Sequence, residues 1–216
     1  MPAPAAPTAP PPVGEVSARL GEAYPGARTE LDHRDAFELL VATVLSAQTT
    51  DVRVNSLTPE LFRRWPDAAA LAGAEETSVA ELLRPLGMGA TRAARIIGLA
   101  QQLVRDHDGE VPDGQAALEA LPGVGRKTAH VVRGAWFGHS LLAVDTHVAR
   151  LSRRLGWTAA TAPVRVEEDV VARAEGTDLT ALHLRLILHG RRVCTARSPQ
   201  CGQCVLQDLC PRVGVA

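Results

Sequence analysis

Lysine is almost absent from this chain of 216 residues, because 22 of its 23 basic residues are arginine and one is lysine, Lys127. Aromatic residues are also scarce, with three Phe, three Trp and one Tyr, which disfavours proteins that stack nucleic-acid bases on several aromatic rings. No apolar run reaches about 18 residues, so no transmembrane helix is predicted. The start of the chain lacks the basic and apolar regions of a secretory signal, and none is expected.

The composition is that of a folded domain with unevenly placed charge. The chain is 46% hydrophobic and 22% charged, with a formal net charge of −1, and this apolar content excludes wholesale disorder. Residues 124–154 contain six basic residues against one acidic residue, and residues 183–216 contain five against one. Such asymmetry is typical of a basic face that meets a polyanion, although solvated helix surfaces would give the same counts.

The order of segments predicts an all-α fold. Residues 1–14 are mostly Pro and Ala and are expected to form a disordered tail. After this tail, apolar residues recur at helical spacing, and Gly and Pro separate the segments. One such apolar stripe consists of Ala93, Ile96, Ile97, Ala100, Leu103 and Val104. No convincing run of alternating strand residues interrupts them. We expect roughly ten short helices joined by short loops.

The segment LPGVGRKTA at 121–129 predicts a hairpin between two helices. Gly123 and Gly125 allow positive φ angles or close backbone approach, and a helix is expected from about Arg126. Its first N–H groups have no partner within the helix, and they form an anion site that the helix dipole strengthens. This favours binding to a nucleic-acid backbone phosphate, and the alternative is a plain glycine turn between helices.

Lys127 is a candidate nucleophile because a lysine amine can lose its proton and form a Schiff base, whereas a guanidinium stays protonated. Its place in the first turn of a helix, the neighbouring charge of Arg126 and any desolvation would each favour the neutral amine. The alternative is that a strong arginine bias left one lysine by chance. Cleavage of Met1 would also expose the amine of Pro2, which can form imines, although its place in the tail disfavours it.

Asp145, in the segment VDTHVAR, is the natural partner of Lys127. It precedes a predicted helix and is expected to accept hydrogen bonds from the first N–H groups as an N-cap. A carboxylate can also take a proton from the lysine or stabilise a developing cation, and the two roles are compatible.

All four cysteines, Cys194, Cys201, Cys204 and Cys210, lie near the end of the sequence with the spacing C-x6-C-x2-C-x5-C. Two disulfides would suit a secreted protein, so a site with four thiolate ligands is favoured. The spacing alone leaves both zinc and a [4Fe–4S] cluster open. Either metal would organise this segment and display Arg191, Arg192 and Arg197 for phosphate contacts.

These motifs together resemble the endonuclease III family of DNA glycosylases with apurinic-site lyase activity. The resemblance covers nearly everything from about Glu15 to Arg212. It rests on LSAQTTDVRVN at 45–55, ALEALPGVGRKTAHVV at 117–132, AVDTHVARL at 143–151, LILHGR at 186–191 and the cysteine spacing.

The resemblance implies the helix-hairpin-helix DNA glycosylase fold, with a six-helix domain at 29–139 and a helical iron–sulfur domain built from 15–28 and 140–216. It implies a [4Fe–4S] cluster on the four cysteines, a Schiff-base nucleophile at Lys127 and a catalytic carboxylate at Asp145. Gln48 matches the side chain that fills the gap left by the extruded nucleotide. The residues expected to contact DNA are Gln48, Met88, Leu121, Gly123, Val124, Gly125, Arg126, Thr128, His147 and Arg191.

The implied activity is base excision repair. The enzyme would remove oxidised or saturated pyrimidines from double-stranded DNA and nick the strand at the abasic site by β-elimination. We expect a monomer of the bacterial cytoplasm, associated with the nucleoid and not with a membrane.

The chain departs from the family pattern at two positions. Met88 stands where an apolar wedge, commonly Leu, is found, and His130 replaces a common Asn. His147 is expected either to touch the extruded nucleotide or to be an ordinary surface histidine, and His189 is expected to be a packed core histidine.

Three rivals remain. Adenine-specific and other monofunctional mismatch glycosylases of the same superfamily lack the nucleophilic lysine, so Lys127 argues against both. A non-enzymatic DNA-binding module with a structural metal would need the hairpin and the cysteines, but neither Lys127 nor Asp145.

Overall fold

The computed structural model describes residues 9–215, and within that range it contains helices and turns but no β-strand. The predicted all-α fold is confirmed. The helices of this part of the chain are α1 (Val13–Ala23), α2 (Ala36–Leu45), α3 (Asp51–Asn55), α4 (Thr58–Arg64), α5 (Ala68–Ala72), α6 (Glu76–Leu83), α7 (Gly89–His107), α8 (Gln115–Glu119), α9 (Arg126–Ala135), α10 (Thr146–Arg154), α11 (Pro163–Val171) and α12 (Leu179–Arg192).

The chain divides into two compact units, and each has its own apolar core. One unit is Thr29–His139, and the other joins the described residues up to Arg28 with those from Ser140 onward.

The unit Thr29–His139 is built around the 19-residue helix α7. This helix packs against α5 and α6, while α9 packs against α2 and α8. Of the predicted apolar stripe on α7, Ala93, Ile96, Ala100 and Leu103 are fully buried and Ile97 is buried. Val104 was expected in the same stripe but is 41% exposed, because it lies at the edge of the buried face. The unit contains eight α-helices, of which α3, α5 and α8 are only five residues long, and one short 3-10 helix at Arg84–Leu86.

The second unit contains α1, α10, α11 and α12. Helix α12 packs against both α1 and α10, and α10 also contacts α11. Its core includes Leu20, Leu151, Trp157, Leu182 and Leu186. Three of the cysteines, Cys194, Cys204 and Cys210, pack against this core.

Several helices begin at an aspartate that caps their first turn, and α9 is an exception. Asp35, Asp145 and Asp178 each accept hydrogen bonds from first-turn N–H groups of the helix that follows. Helix α9 instead begins after Gly125, and no side chain caps it. Its first N–H groups therefore remain directed towards the hairpin.

The expected boundary of the N-terminal tail is corrected by the structure. Residues 1–8 of the predicted tail lie outside the described residues. Residues 11–14 differ from the expectation, because α1 already begins at Val13, which is buried, and Pro11 is buried as well. The carbonyl of Pro11 accepts a hydrogen bond from Trp157 Nε1 at 2.8 Å. The composition of the N-terminal segment could not indicate that Pro11 is held by Trp157, because the two residues are 146 positions apart in the sequence.

We predict that Trp157→Phe lowers the free energy of unfolding by about 1–3 kcal/mol, because it leaves the buried Pro11 carbonyl without its donor. Trp136→Phe is the matched control, since Trp136 is 42% exposed and its replacement should change stability by less than about 0.5 kcal/mol. Chemical denaturation of both variants measures the difference. Equal stabilities would show that the Pro11 contact does not anchor the N-terminal segment.

Candidate functional site

The hairpin between α8 and α9 is formed by residues 120–125. Gly123 has φ +82°, a left-handed conformation that favours glycine. The side chains of Leu121 and Val124 are buried in the core, so only their backbone is available to a ligand. Gly125, Arg126 and Lys127 are exposed and Thr128 is half-buried. The backbone N–H groups at the start of α9 and these residues together form a surface suited to a phosphate.

Arg95 is a further residue of this surface that sequence reasoning missed. Its aliphatic stem lies directly on Gly123, so that a Cβ atom built on this glycine would collide with it. Arg95 is exposed, and no hydrogen bond or ion pair occupies its guanidinium among the described residues. The sequence shows only that Arg95 lies one helical turn after Arg92 on α7. That spacing does not indicate that Arg95 contacts the hairpin at Gly123.

Lys127 lies in the first turn of α9, as predicted. Its side chain is exposed, so the protein alone does not supply the desolvation that was one of the three expected influences on its amine. The other two, the helix N-terminus and the neighbouring Arg126, are present. His130, one turn further, is buried.

Gln48 and Met88 both project from tight turns of the same unit. Both have left-handed backbone, with φ +60° for Gln48 and +53° for Met88, although neither is glycine. Both are exposed, and Met88 is 58% exposed despite its apolar side chain. Exposed left-handed residues of this kind cluster at sites that touch ligands.

Asp145 lies in the other unit and caps α10, which confirms the predicted N-cap. Its Oδ1 atom accepts hydrogen bonds from the N–H groups of His147 and Val148, both at 2.8 Å. Within residues 9–215, Oδ2 accepts no hydrogen bond and so keeps its negative charge available to a ligand. The side chain is half-buried.

His147 and Arg191 of the same unit lie close enough to interact. Burial lowers the pKa of His147, and the charges of Arg150 and Arg191 lower it further against the opposing effect of Asp145. The ring lies against Gly190, where a Cβ atom would approach His147 Nδ1 to 2.8 Å. The His147 side chain is therefore half-buried with a lowered pKa, and Arg191 is exposed.

The four cysteines are all free thiols, which excludes the disulfide alternative for this structure. All four line one cavity together with residues such as Arg154, Pro199 and Val215. No group of three or more His, Cys, Asp or Glu residues in 9–215 is arranged to hold a metal ion. The four thiols nevertheless face one shared cavity, so a single group with four thiolate ligands can be held there.

The chemistry of this donor set fits an iron–sulfur cluster. Burial raises the pKa of the Cys204 thiol to about 11 and also raises that of Cys210, so bare thiolates are unfavourable there. The positive charge of iron would offset that cost. His189, buried as predicted, lies 3.1 Å from the Tyr24 hydroxyl and 3.3 Å from Cys204 Sγ.

Arginine side chains from α10 hold the first cysteine and its loop. Arg150 Nη2 donates to the carbonyls of Gly190 and Cys194 at 2.8 and 3.0 Å. Arg154 donates to Cys194 Sγ at 3.2 Å and to the carbonyls of Thr195 and Ala196. The sequence indicates Arg150 and Arg154 only as positive charges and does not predict these contacts with the cysteine loop.

None of the helices in residues 9–215 is both long and apolar enough to cross a membrane.

Two family models match the chain. Residues 41–174 match the HhH-GPD superfamily of base excision DNA repair proteins. Residues 194–210 match the iron-sulfur binding domain of endonuclease III, and this range begins and ends at the first and last cysteines.

Relatives and solved structures agree with these matches. The chain is 48% identical over 200 residues to endonuclease III of Synechocystis sp., covering 91% of this chain and 90% of the relative. A non-covalent endonuclease III–DNA complex superimposes with a TM-score of 0.86 at 38% identity, covering 92% of this chain and 93% of that one. A trapped endonuclease III–DNA covalent intermediate gives a TM-score of 0.85 at 38% identity, covering 91% and 92%.

We predict that Gly123→Ala weakens DNA binding about tenfold, because Ala is strained at this φ and its Cβ atom displaces Arg95 from the hairpin. Gly109→Ala is the matched control, with φ +84° but open space around the added Cβ. Both variants should lose about 1–2 kcal/mol of stability from the left-handed backbone. Titration of a fluorescent duplex should separate them, and equal affinities would argue against the hairpin as a DNA contact.

Proposed function

The chain belongs to the endonuclease III family, and from that premise we propose how its own residues carry out the family's reaction. It is a bifunctional DNA glycosylase and apurinic-site lyase of base excision repair, and it carries a [4Fe–4S] cluster. The observation that carries most weight is the single lysine, exposed in the first turn of the uncapped helix α9.

We assign the nucleophile to Lys127. The neutral amine forms a bond from Nζ to the anomeric carbon of the sugar, the bond from that carbon to the base breaks, and the departing base takes up the proton that the amine releases. The bond from the same carbon to the ring oxygen then breaks, the oxygen takes a proton from water, and a protonated imine forms on the lysine. Loss of a proton from the neighbouring sugar carbon then expels the 3′ phosphate by β-elimination and nicks the strand. DNA that covers the exposed lysine supplies the desolvation that favours the neutral amine.

Asp145 is assigned the role of the catalytic carboxylate. Its Oδ1 atom is held by two N–H groups of α10, which fixes the side chain, and Oδ2 remains available to the substrate. A fixed negative charge stabilises the positive charge that develops on the sugar and then on the imine. The N-cap thus orients the group that the chemistry uses.

The damaged base must leave the helical stack before Lys127 can reach its sugar. We assign the filling of the resulting gap to Gln48 and the opposite-strand wedge to Met88, since both are exposed on tight turns. Methionine is flexible, so its insertion is softer than that of a branched side chain. The substrates proposed are oxidised or saturated pyrimidines and abasic sites, because a poorly stacked lesion costs less to extrude.

Backbone phosphates of double-stranded DNA are proposed to bind at the hairpin. The N–H groups of Gly123, Gly125 and the start of α9 donate hydrogen bonds to the phosphate oxygens, with Arg126 and Thr128 beside them. Arg95 adds a cation at Gly123. His147 and Arg191 are proposed to contact DNA from the other unit. We propose that the protein acts as a monomer on the nucleoid in the cytoplasm.

Cys194, Cys201, Cys204 and Cys210 are proposed as the ligands of the cluster. When bound, the cluster cross-links a segment that has little apolar core of its own. Arg154 donates a hydrogen bond to Cys194 Sγ and holds the following carbonyls, so the loop around the first ligand is supported by α10.

We predict that Lys127→Arg abolishes borohydride trapping of the enzyme on DNA while DNA affinity stays within about twofold, because the charge is kept and the nucleophile is lost. The exchange Arg126→Lys/Lys127→Arg is the matched control, since it keeps composition and charge but moves the amine about 100° around the helix. It should not trap either. Trapping by Lys127→Arg would refute the assignment and point to the N-terminal amine.

The same variants separate the enzyme from a binding module. A non-enzymatic module predicts that Lys127→Arg changes nothing, because wild type would show no trapping either. A parallel loss of DNA binding and cleavage in Lys127→Arg would mean that Lys127 serves binding alone.

We predict that Asp145→Asn slows base removal by about 100-fold or more without unfolding α10, because Asn also caps helices but carries no charge. Asp178→Asn is the matched control, since Asp178 caps α12 through Oδ1 in the same way. Single-turnover base release and thermal melting measure the two effects. Equal rates in the two variants would contradict a catalytic role for Asp145.

A further inference from the structure

Two turns of the unit Thr29–His139 carry residues in an unfavourable backbone conformation. Gln48 and Met88 are left-handed without being glycine, and both are exposed. Such conformations persist only when the surrounding structure holds them. The residues are 40 positions apart, so the chain itself does not couple them.

Arg92 is bonded to both turns from beneath. Its Nη1 donates to the carbonyl of Leu45 at 2.6 Å and its Nη2 to the carbonyl of Ala47 at 2.8 Å. Its Nε donates to the carbonyl of Gly87 at 2.9 Å. The residue is only 5% exposed, and burial lowers its pKa.

The identity of these carbonyls matters. The carbonyl of Ala47 belongs to the peptide group that ends in the nitrogen of Gln48, and the carbonyl of Gly87 belongs to the one that ends in the nitrogen of Met88. Each peptide group is planar, so fixing its carbonyl also fixes the direction in which the next residue leaves. The backbone N–H of Arg92 further donates to the carbonyl of Met88 at 3.0 Å.

We propose that Arg92 is the positioning residue that sets Gln48 and Met88 in register with each other, so that one planar guanidinium aligns the two side chains that enter the DNA. This inference rests on the roles proposed above for Gln48 and Met88. Arg92 is not proposed to contact a DNA phosphate, although it is a cation. All three of its side-chain nitrogens already donate to backbone carbonyls in the protein interior.

The geometry requires arginine. Three acceptors in different directions are met by three nitrogens of one rigid plane, whereas a lysine offers a single nitrogen on a flexible stem. Arg92→Lys therefore keeps the charge and loses the alignment. It is the informative variant, and Arg92→Met, which keeps the stem without the charge, is the second.

The test compares two substrates in single-turnover reactions. On a duplex with a damaged pyrimidine, Arg92→Lys should be roughly 10–100-fold slower than wild type, because misplaced groups cost rates of that order. On single-stranded DNA with a preformed abasic site, where no partner strand must be separated, cleavage through Lys127 should stay within about twofold. A loss of equal size on both substrates would reduce Arg92 to a merely structural role and overturn the proposal.

A second Arg→Lys change on α7 controls for the general effect of this substitution on the helix. Arg105→Lys alters an exposed arginine at the far end of α7, paired with Asp106, and should leave both rates unchanged. If a variant folds incompletely, its cleavage of the single-stranded substrate gives the active fraction, and the duplex rate is divided by it. Arg92→Met should show the same substrate difference as Arg92→Lys.

A mutant cycle then tests whether Arg92 acts through the two side chains. In a Gln48→Ala/Met88→Ala background, Arg92→Lys should cause no further loss on the duplex, because there is nothing left to align. If Arg92→Lys multiplies the loss instead, the Arg92 proposal fails while the roles of Gln48 and Met88 stand. If the Gln48→Ala/Met88→Ala protein is itself as fast as wild type, those roles fail, and the Arg92 proposal falls with them.

Discussion

Hydrogen bonds from arginine guanidinium groups to backbone carbonyls are the interaction on which the functional turns depend. In one unit, Arg92 holds three carbonyls around Gln48 and Met88. In the other, Arg150 and Arg154 hold the carbonyls at the end of α12 and around the first cysteine. Turns of this kind have few apolar side chains to pack, so a polar group that reaches several carbonyls at once substitutes for a core.

This interaction explains part of the imbalance between arginine and lysine. A guanidinium presents five N–H donors in a fixed plane and is more weakly hydrated than an ammonium, so it suits buried sites with several acceptors. The arginine excess is therefore structural as well as electrostatic. Lys127 stands apart because its position is exposed and its proposed chemistry needs an amine that can deprotonate.

The helical fold was predictable from local sequence, whereas long-range polar contacts were not. The hairpin, the cap by Asp145 and the burial of the α7 stripe follow from patterns within a few residues, and the structure contains all three. Arg92 gives no such signal, because its partners lie up to 47 residues away and an isolated arginine on a helix is normally exposed. Pro11 was missed for the same reason, since its partner Trp157 is distant in sequence.

The energies involved show why Arg92 serves geometry more than stability. Two left-handed residues cost about 1–3 kcal/mol each, and burial of a charge costs several kcal/mol more. Three hydrogen bonds from a charged donor return about 1.5–3 kcal/mol each, so gain and cost are of similar size. Because these contributions nearly cancel, the intact group adds little net stability, although removing its donors alone leaves three carbonyls unsatisfied. What the three bonds fix is direction, because Gln48 and Met88 would otherwise relax independently towards ordinary backbone angles. The strain in these two turns is thus held in place by the same guanidinium that keeps their side chains aligned.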